Sequence, residues 1–315
     1  MLTISCGDVG IQLSSSESWP QLTPAVCGYT GRALTVKMTK KIAVVTGASA
    51  GIGLYTALGL ARAGMRVIAV GHDPTRTEEA RRFIQARVPG AEVETALTDF
   101  TSLVAVRELA AQLLMRADRI DVLVNNAGLI WPRLALSADG YELIVAVNHL
   151  APFLLTNLLL DRLKQSAPAR IVNVASTAHK GAQLDPATMT NPADWTPLSA
   201  YGRSKLANVL FTRALAGRLD PASVTVCCLH PGTIATDIGN RAGILAGVGW
   251  RLAKLFLPGP ETGARTSVFL ATIPDPVPFH GAYVVGKAIA EPDRAAQDEQ
   301  LGEALWQESA QLVGL

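Results

Sequence analysis

The stretch Lys41-Ile-Ala-Val-Val-Thr-Gly-Ala-Ser-Ala-Gly-Ile-Gly53 predicts a buried strand, a glycine turn and the start of a helix, in that order. Residues 42–45 are apolar and mostly β-branched, which is typical of a strand buried on both faces. A glycine turn at a helix start exposes free N–H groups and the positive end of the helix dipole, which suits a phosphate. The spacing is G-x-x-x-G-x-G, so the stretch alone also fits a plain strand-turn-helix without a ligand.

Composition narrows the classes of function. The chain has 315 residues, of which 49% are hydrophobic, and its formal net charge is +2, so it can bury a large core and offers no electrostatic basis for binding nucleic acid. No uninterrupted apolar run reaches the ~18 residues that span a bilayer, which predicts no integral membrane segment. The cysteines at positions 6, 27, 227 and 228 have no metal-binding spacing, so we expect no metal site. Cys227 and Cys228 lie within an apolar strand-like run, which predicts buried thiols and a cytoplasmic location.

The first 37 residues differ from the rest of the chain. They include Ser14-Ser15-Ser16, Pro20 and Pro24 and show little hydrophobic periodicity. They lack the basic and apolar regions of a signal peptide. We interpret residues 1–37 as a disordered tail or as the product of a start codon upstream of Met38, with a functional arm as the alternative.

From Lys41 onward, predicted strands and helices alternate. Strands are expected at 42–45, 66–70, 91–97, 121–124, 170–174, 223–229 and 281–285. Helices are expected at 54–63, 77–88, 102–116, 140–164 (bent at Pro152), 200–218, 261–271 and 293–312. This order predicts an α/β fold in which residues 38–315 form a single Rossmann-like domain, a doubly wound parallel sheet of about seven strands.

Small and polar residues follow most of these strands. Because ligands bind beyond the carboxyl ends of parallel strands, these residues are expected to share one edge. They are the glycine turn, Gly71-His72-Asp73, Asp99, Asn125-Asn-Ala-Gly128, Ser176, His230-Pro-Gly-Thr233 and Thr236. In addition, Tyr201 and Lys205 stand four residues apart on a predicted helix, so a phenol and an ammonium group can face the same site.

Taken together, these motifs resemble the short-chain dehydrogenase/reductase family. The resemblance spans Lys41 to about Val285 and rests on Thr46-Gly-Ala-Ser-Ala-Gly-Ile-Gly53, Asp99, Asn125-Asn-Ala-Gly128, Asn148, Ser176, Tyr201 with Lys205, and Pro231-Gly232 with Thr236. Within the family the chain is similar to the retinol dehydrogenase-like branch. That likeness rests on Val147-Asn-His-Leu-Ala-Pro-Phe-Leu-Leu-Thr156, Arg170-Ile-Val-Asn-Val-Ala-Ser176 with Ala178-His179, Ser204-Lys-Leu-Ala-Asn-Val-Leu-Phe-Thr-Arg213, and the long gap between Ser176 and Tyr201.

The resemblance implies an NAD(P)-dependent alcohol dehydrogenase or carbonyl reductase with four catalytic residues. Tyr201 would exchange a proton with the substrate oxygen, and Ser176 would hydrogen-bond that oxygen. Lys205 would hold the nicotinamide ribose and favour the Tyr201 phenolate, and Asn148 would hold a water beside Lys205. Lowering a phenol pKa from about 10 to about 7 requires roughly 4 kcal/mol.

The resemblance also implies a set of cofactor-binding residues. They are Gly47, Ser49, Ala50, Gly51, Ile52, Gly53, His72, Arg76, Asp99, Phe100, Asn126, Ala127, Gly128, Tyr201, Lys205, Pro231, Gly232, Ile234 and Thr236. NAD-preferring relatives usually carry an acidic residue where this chain has Gly71, whereas His72 and Arg76 could support a 2′-phosphate. We therefore favour NADP(H), while NAD(H) remains possible because a shifted loop would bring Asp73 to the ribose.

An apolar segment at about 237–258 follows Thr236, where the family carries a substrate lid. A lid there would suit a hydrophobic alcohol, aldehyde or ketone. The alternatives for the segment are an ordinary packing helix or a surface for a partner, including a second copy in a homo-oligomer. For the whole chain, the alternatives to an enzyme are a nucleotide-sensing regulatory protein without turnover and a peripheral membrane module. The four catalytic residues disfavour the first, and the lack of a basic amphipathic face disfavours the second.

Overall fold

A computed structural model describes residues 5–6, 9–10, 40–232 and 259–315 of the chain, which divides into two units, Met1–Thr39 and Lys40–Leu315. In the first unit, the two-residue strands Ser5–Cys6 and Val9–Gly10 pair antiparallel. The rest of the predicted tail, the predicted lid at 237–258, and the predicted cofactor residues Ile234 and Thr236 lie outside the described residues.

The second unit is built on one sheet of eight strands. They are β1 (Ile42–Thr46), β2 (Arg66–Gly71), β3 (Val93–Leu97), β4 (Val122–Asn125), β5 (Ala169–Val174), β6 (Val224–His230), β7 (Tyr283–Val285) and β8 (Ala288–Ala290). Their order is β8-β7-β6-β5-β4-β1-β2-β3. Every neighbouring pair is parallel except β7 and β8. The sheet reverses its strand order between β1 and β4, which is the switch point where ligands bind in such folds.

Helices cover both faces of the sheet. They are α1 (Gly51–Arg62), α2 (Pro74–Arg87), α3 (Leu103–Arg116), α4 (Leu143–Gln165), α5 (Pro197–Ala216), α6 (Pro260–Thr272) and α7 (Glu299–Val313). Buried apolar residues of α3, α4, α5 and α7 form the core on one face. Those of α1, α2 and α6 form the core on the other. The predicted doubly wound α/β fold is confirmed.

Two details differ from the sequence prediction. The predicted seventh strand is followed by a short antiparallel edge strand, β8, whose three residues are too few to show a periodicity. Helix α4 contains a π-helical segment, Ala146–Leu150, immediately before Pro152. Proline has no N–H to donate within the helix, so a wider turn just before it leaves no backbone donor misplaced; the predicted bend stays a prediction.

Helix α4 is long and apolar enough, by length and composition, to cross a membrane. However, 72% of its most apolar window is buried inside the domain, and its side chains join the core. A core helix passes the same test, so this feature is weak evidence for a membrane span.

A ladder of polar side chains runs through the core beneath the site. Asn125 lies at the end of β4. Its Nδ2 donates hydrogen bonds to Oδ1 of the Asn173 side chain at 2.8 Å and to the Thr156 hydroxyl at 2.9 Å. Asn173 on β5 in turn donates to the hydroxyl of Thr212 on α5, at 2.9 Å. The ladder thus joins two strands of the sheet to the helices α4 and α5.

Candidate active site

The glycine turn after β1 is held by Thr46 and shaped by the absence of side chains. The Thr46 hydroxyl accepts hydrogen bonds from the backbone N–H of Asn126 at 3.0 Å and of Ala127 at 2.9 Å. A Cβ at Gly53 would lie 2.2 Å from the backbone oxygen of Gly47, and Gly47 itself has φ of +66°. The backbone can therefore pack tightly here and present the start of α1 to a ligand.

The loop after β2 carries the residues predicted to select the cofactor. A Cβ at Gly71 would lie 2.0 Å from the hydroxyl oxygen of Thr77, which is fully buried. Asp73 caps α2, because its carboxylate accepts a hydrogen bond of 2.8 Å from the N–H of Arg76. His72 and Arg76 are exposed and line the cleft described below.

Tyr201, the predicted acid/base residue, lies on α5 and faces the end of β5. The hydroxyl of Tyr201 on α5 shares a hydrogen bond with the side chain of Ser176, which follows β5. Lys205, one turn further along α5, donates from Nζ to the backbone oxygen of Val174 at 3.0 Å. The same Nζ lies 5.5 Å from the centroid of the Tyr201 ring. The structure therefore brings Ser176, Tyr201 and Lys205 together.

Asn148 lies in the π-helical segment of α4, and both polar atoms of its side chain make hydrogen bonds. Its Oδ1 accepts from the Leu129 N–H at 2.7 Å, and its Nδ2 donates to the Leu129 oxygen at 2.9 Å and to the Ser204 hydroxyl at 3.0 Å. Ser204 then donates to the backbone oxygen of Tyr201 at 2.8 Å. Asn148 is thus joined to Tyr201 through Ser204, which the sequence analysis quoted within a family motif but did not predict as a site residue, because its partner Asn148 is distant in the sequence.

Burial shifts the pKa values of Lys205 and Tyr201 in opposite directions, and in both it favours the neutral form. It lowers the pKa of the Lys205 ammonium to about 8. It also raises the pKa of Tyr201, and the hydrogen bond from Ser176 offsets only part of that rise. Desolvation is the largest influence on the Tyr201 pKa, and the role of Lys205 in favouring the phenolate stays a prediction. Tyr201 is therefore protonated at neutral pH, as a proton donor must be.

These elements border a cleft of about 590 Å³ at the carboxyl edge of the sheet. The predicted cofactor residues that line it are Gly47, Ser49, Ala50, Gly51, Ile52, Gly53, His72, Arg76, Asp99, Phe100, Asn126, Ala127, Gly128, Tyr201 and Pro231. Lys205 and Asn148 lie just behind Gly128, since a Cβ there would be 3.5 Å from Nζ and 3.2 Å from Oδ1. Gly232, with φ of +91°, ends the described segment beside Pro231.

The sequence prediction did not include the apolar part of the cleft. Leu129, Ile130, Trp131, Leu143 and Val147 line it next to Tyr201. Trp195, from the long segment between Ser176 and Tyr201, packs in the same cluster and donates from its indole N–H to Glu142 at 3.0 Å. These residues belong to none of the predicted site motifs, and only the folded structure shows that they lie together on the apolar wall of the cleft.

The cleft fits a dinucleotide. The glycines at 47, 51 and 53 leave backbone N–H groups open at the start of α1, and the Arg76 cation stands beyond the end of β2. Among the described residues, no group of three or more histidine, cysteine, aspartate or glutamate side chains is placed to hold a metal ion.

A family model described as "short chain dehydrogenase" matches residues 41–243 of the chain. The chain belongs to the short-chain dehydrogenase family. It is 40% identical over 298 residues to human retinol dehydrogenase 13, covering 91% of this chain and 89% of that protein. Among solved structures, an uncharacterised protein from Mycobacterium paratuberculosis aligns with a TM-score of 0.70 and 31% identity, covering 87% of this chain and 93% of that one. Pseudomonas aeruginosa RhlG in its NADP active-site complex aligns with a TM-score of 0.63 and 27% identity, covering 79% and 95%.

Membership of the short-chain dehydrogenase family makes this chain an oxidoreductase. The family transfers a hydride between a nicotinamide cofactor and an alcohol or carbonyl compound, and the predicted retinol dehydrogenase-like character is confirmed by its relatives. Cofactor form, substrate and the roles of the individual residues belong to the proposal that follows.

Proposed function

We propose that this short-chain dehydrogenase interconverts apolar aldehydes or ketones and their alcohols, with NADP(H) as cofactor and Tyr201 as the acid/base residue. The observation that carries the proposal is the hydrogen bond between Tyr201 and Ser176 at the edge of a dinucleotide cleft, with Lys205 one helical turn away. This arrangement provides a proton donor, a hydrogen-bond donor for the substrate oxygen and a buried cation in one place.

Each residue has a distinct task in carbonyl reduction. Ser176 holds the substrate oxygen, and Tyr201 delivers the proton to it. Lys205 orients the nicotinamide ribose and favours the phenolate that remains after the transfer. Asn148, through Leu129 and Ser204, keeps α4 against α5 and would hold a water beside Lys205. The nicotinamide supplies the hydride for reduction and accepts it in oxidation.

The preference for NADP(H) is supported by charge at the end of β2. Exposed His72 and Arg76 line the cleft there, while the Asp73 carboxylate is engaged in capping α2. Asp73 also lines the cleft, but because its carboxylate is bonded to the start of α2, Arg76 is the charged side chain proposed to meet a 2′-phosphate. The Pseudomonas aeruginosa relative was solved with NADP, which agrees with this preference.

The apolar wall supports a hydrophobic substrate. Leu129, Ile130, Trp131 and Val147 line the same cleft as Tyr201, and apolar surfaces of this kind bind apolar ligands. The relatives named retinol dehydrogenases make retinoid-like aldehydes and alcohols the first compounds to test. The lid proposed at 237–258 would cover this apolar part of the cleft.

Three further predictions concern the whole protein. They are a cytoplasmic location, the lack of an integral membrane segment and a homo-oligomer.

A panel of carbonyl compounds tests the proposal directly. NADPH and NADH oxidation would be followed with aromatic, long-chain, steroid-like and retinoid-like aldehydes and ketones, using Tyr201→Phe as the control. We expect turnover of apolar members, faster with NADPH, and none in the control. Tight cofactor binding without turnover of any member would instead favour a nucleotide-sensing regulatory protein.

A further inference from the structure

His179 is fully buried and uses both ring nitrogens beside the proposed active site. Nδ1 lies 2.6 Å from the backbone oxygen of Ser176, and Nε2 lies 3.1 Å from the backbone nitrogen of Asp293. An N–H can only donate and a carbonyl oxygen can only accept, so Nδ1 carries the proton and Nε2 accepts. The imidazole therefore joins the residue that follows β5 to the segment that follows β8.

The neighbouring contacts hold the same loop. The Asp293 carboxylate accepts from the N–H of Gly181 at 3.1 Å, and His230 Nδ1 accepts from the N–H of Thr177 at 3.3 Å. The His179 ring also packs edge-on against Tyr283 at 4.8 Å between centroids. Ser176 is thus the N-cap of a single 3₁₀ turn, Thr177–His179, that is attached at several points to the rest of the domain.

We propose that His179 is a positioning residue that sets the Ser176 hydroxyl opposite Tyr201, by holding the Ser176 carbonyl oxygen through its Nδ1–H. This inference rests on the proposed function of Ser176. The Ser176 side chain bonds the Tyr201 hydroxyl and accepts a 3.2 Å hydrogen bond from the Ala178 N–H, and the position from which it reaches both is set by the backbone that His179 holds. A misplacement of about 1 Å at a reacting group can cost about 100-fold in rate.

The imidazole suits this task because it is neutral. Burial lowers the pKa of His179 below its usual value, so the ring keeps one donor and one acceptor at neutral pH. The groups facing it are the Tyr283 ring, Lys180, Asp293 and His230, of which Asp293 alone is acidic.

Two amide substitutions separate this role from simple packing. His179→Asn places an amide near the Nδ1 position and can still donate to Ser176, whereas His179→Gln places its amide near the Nε2 position and loses that donor. We expect kcat to fall about 10- to 100-fold in His179→Gln and less than about 3-fold in His179→Asn, with the dissociation constant for NADPH unchanged in both. If packing alone mattered, the smaller Asn would be the more damaging substitution.

The same pair in a Ser176→Ala background completes the test. Because His179 acts only through Ser176, His179→Gln should lower kcat there by less than about 2-fold. A full 10-fold or greater further loss in that background, or equal kcat in the Asn and Gln variants, would overturn the inference while leaving the proposed function intact. A wild-type kcat in Ser176→Ala alone would remove the proposed role of Ser176, and the inference with it.

Discussion

Lys205 donates a hydrogen bond of 3.0 Å to the backbone oxygen of Val174, the last residue of β5. This contact ties α5 to the strand end from which the Ser176 loop departs. Because Tyr201 precedes Lys205 by four residues on the same helix, the contact also fixes the phenol in front of Ser176. A buried cation thereby serves the geometry of the site as well as its charge.

Tyr201→Phe removes the hydroxyl and keeps the ring. We expect kcat to fall at least about 100-fold, the usual scale for loss of a positioned acid or base, with little change in cofactor affinity. Steady-state rates and NADPH fluorescence titration measure the two quantities. Tyr141→Phe is the matched control, because Tyr141 bonds the Leu312 oxygen and does not line the cleft. Comparable kcat in the Tyr201 variant would contradict its assignment.

The rates of carbonyl reduction and of alcohol oxidation should depend differently on pH. Burial raises the pKa of Tyr201, so the phenol stays protonated through neutral pH; carbonyl reduction, which needs the proton, should be flat there. Alcohol oxidation needs the phenolate and should accelerate as pH rises. Since the pKa of Lys205 is lowered to about 8, its charge is lost above that pH and cofactor affinity should weaken. Profiles of kcat and cofactor dissociation constant from pH 6 to 10 check this, and oxidation that slows with rising pH would contradict it.

Cofactor preference is best tested at His72 rather than at Gly71. An aspartate at Gly71 would collide with buried Thr77, whose hydroxyl donates to the Asp73 oxygen at 2.6 Å, so that substitution would disturb the start of α2. His72→Asp instead places a carboxylate on an exposed position of the cleft. We expect the ratio of kcat/KM for NADPH to that for NADH to fall about 10-fold, with His72→Asn as the neutral control. An equal ratio in both variants would show that a 2′-phosphate does not lie there.

Removal of residues 1–37 should leave Tm and specific activity unchanged. All eight strands of the central sheet lie within Lys40–Leu315. The removed charges, Asp8, Glu17, Arg32 and Lys37, sum to zero, so solubility should not shift on that account. Thermal unfolding and turnover of the two chains are the comparison. A clear drop in either would mean that this segment contributes to the catalytic domain.

The fold could be predicted because its signals are local. Short apolar runs predict the buried strands β1, β4 and β5, and the glycine turn predicts the start of α1; each signal lies within a few residues. The candidate site could be predicted for the same reason, since Tyr201 and Lys205 share one helix face. Element ends moved by a few residues, as at α2, which begins at Pro74 because Asp73 caps it.

What could not be predicted depends on contacts between distant parts of the chain. Thr46 looks like an ordinary strand residue, yet its hydroxyl holds the N–H groups of residues 126 and 127. Gly71 looks like a missing acidic residue, and only its distance to Thr77 shows that no side chain fits there. The apolar wall around Trp131 follows from how the loop after β4 meets α4 and α5. Such pairings have no fixed spacing in the sequence.

The asparagine ladder under the site bears on how strands of similar composition find their alignment. In β4 (Val122–Asn125) and at residues 171–173 of β5, valine, leucine or isoleucine residues are followed by an asparagine, and Asn125 is aligned with Asn173. Apolar residues buried on both faces would tolerate a slip of one position, because their neighbours are alike. A slip would leave several buried amides and hydroxyls unpaired, at about 1–3 kcal/mol each. The two asparagines therefore help to fix the register of β4 and β5. The alignment of the strand ends near the catalytic residues thus depends on polar groups that lie beneath the site.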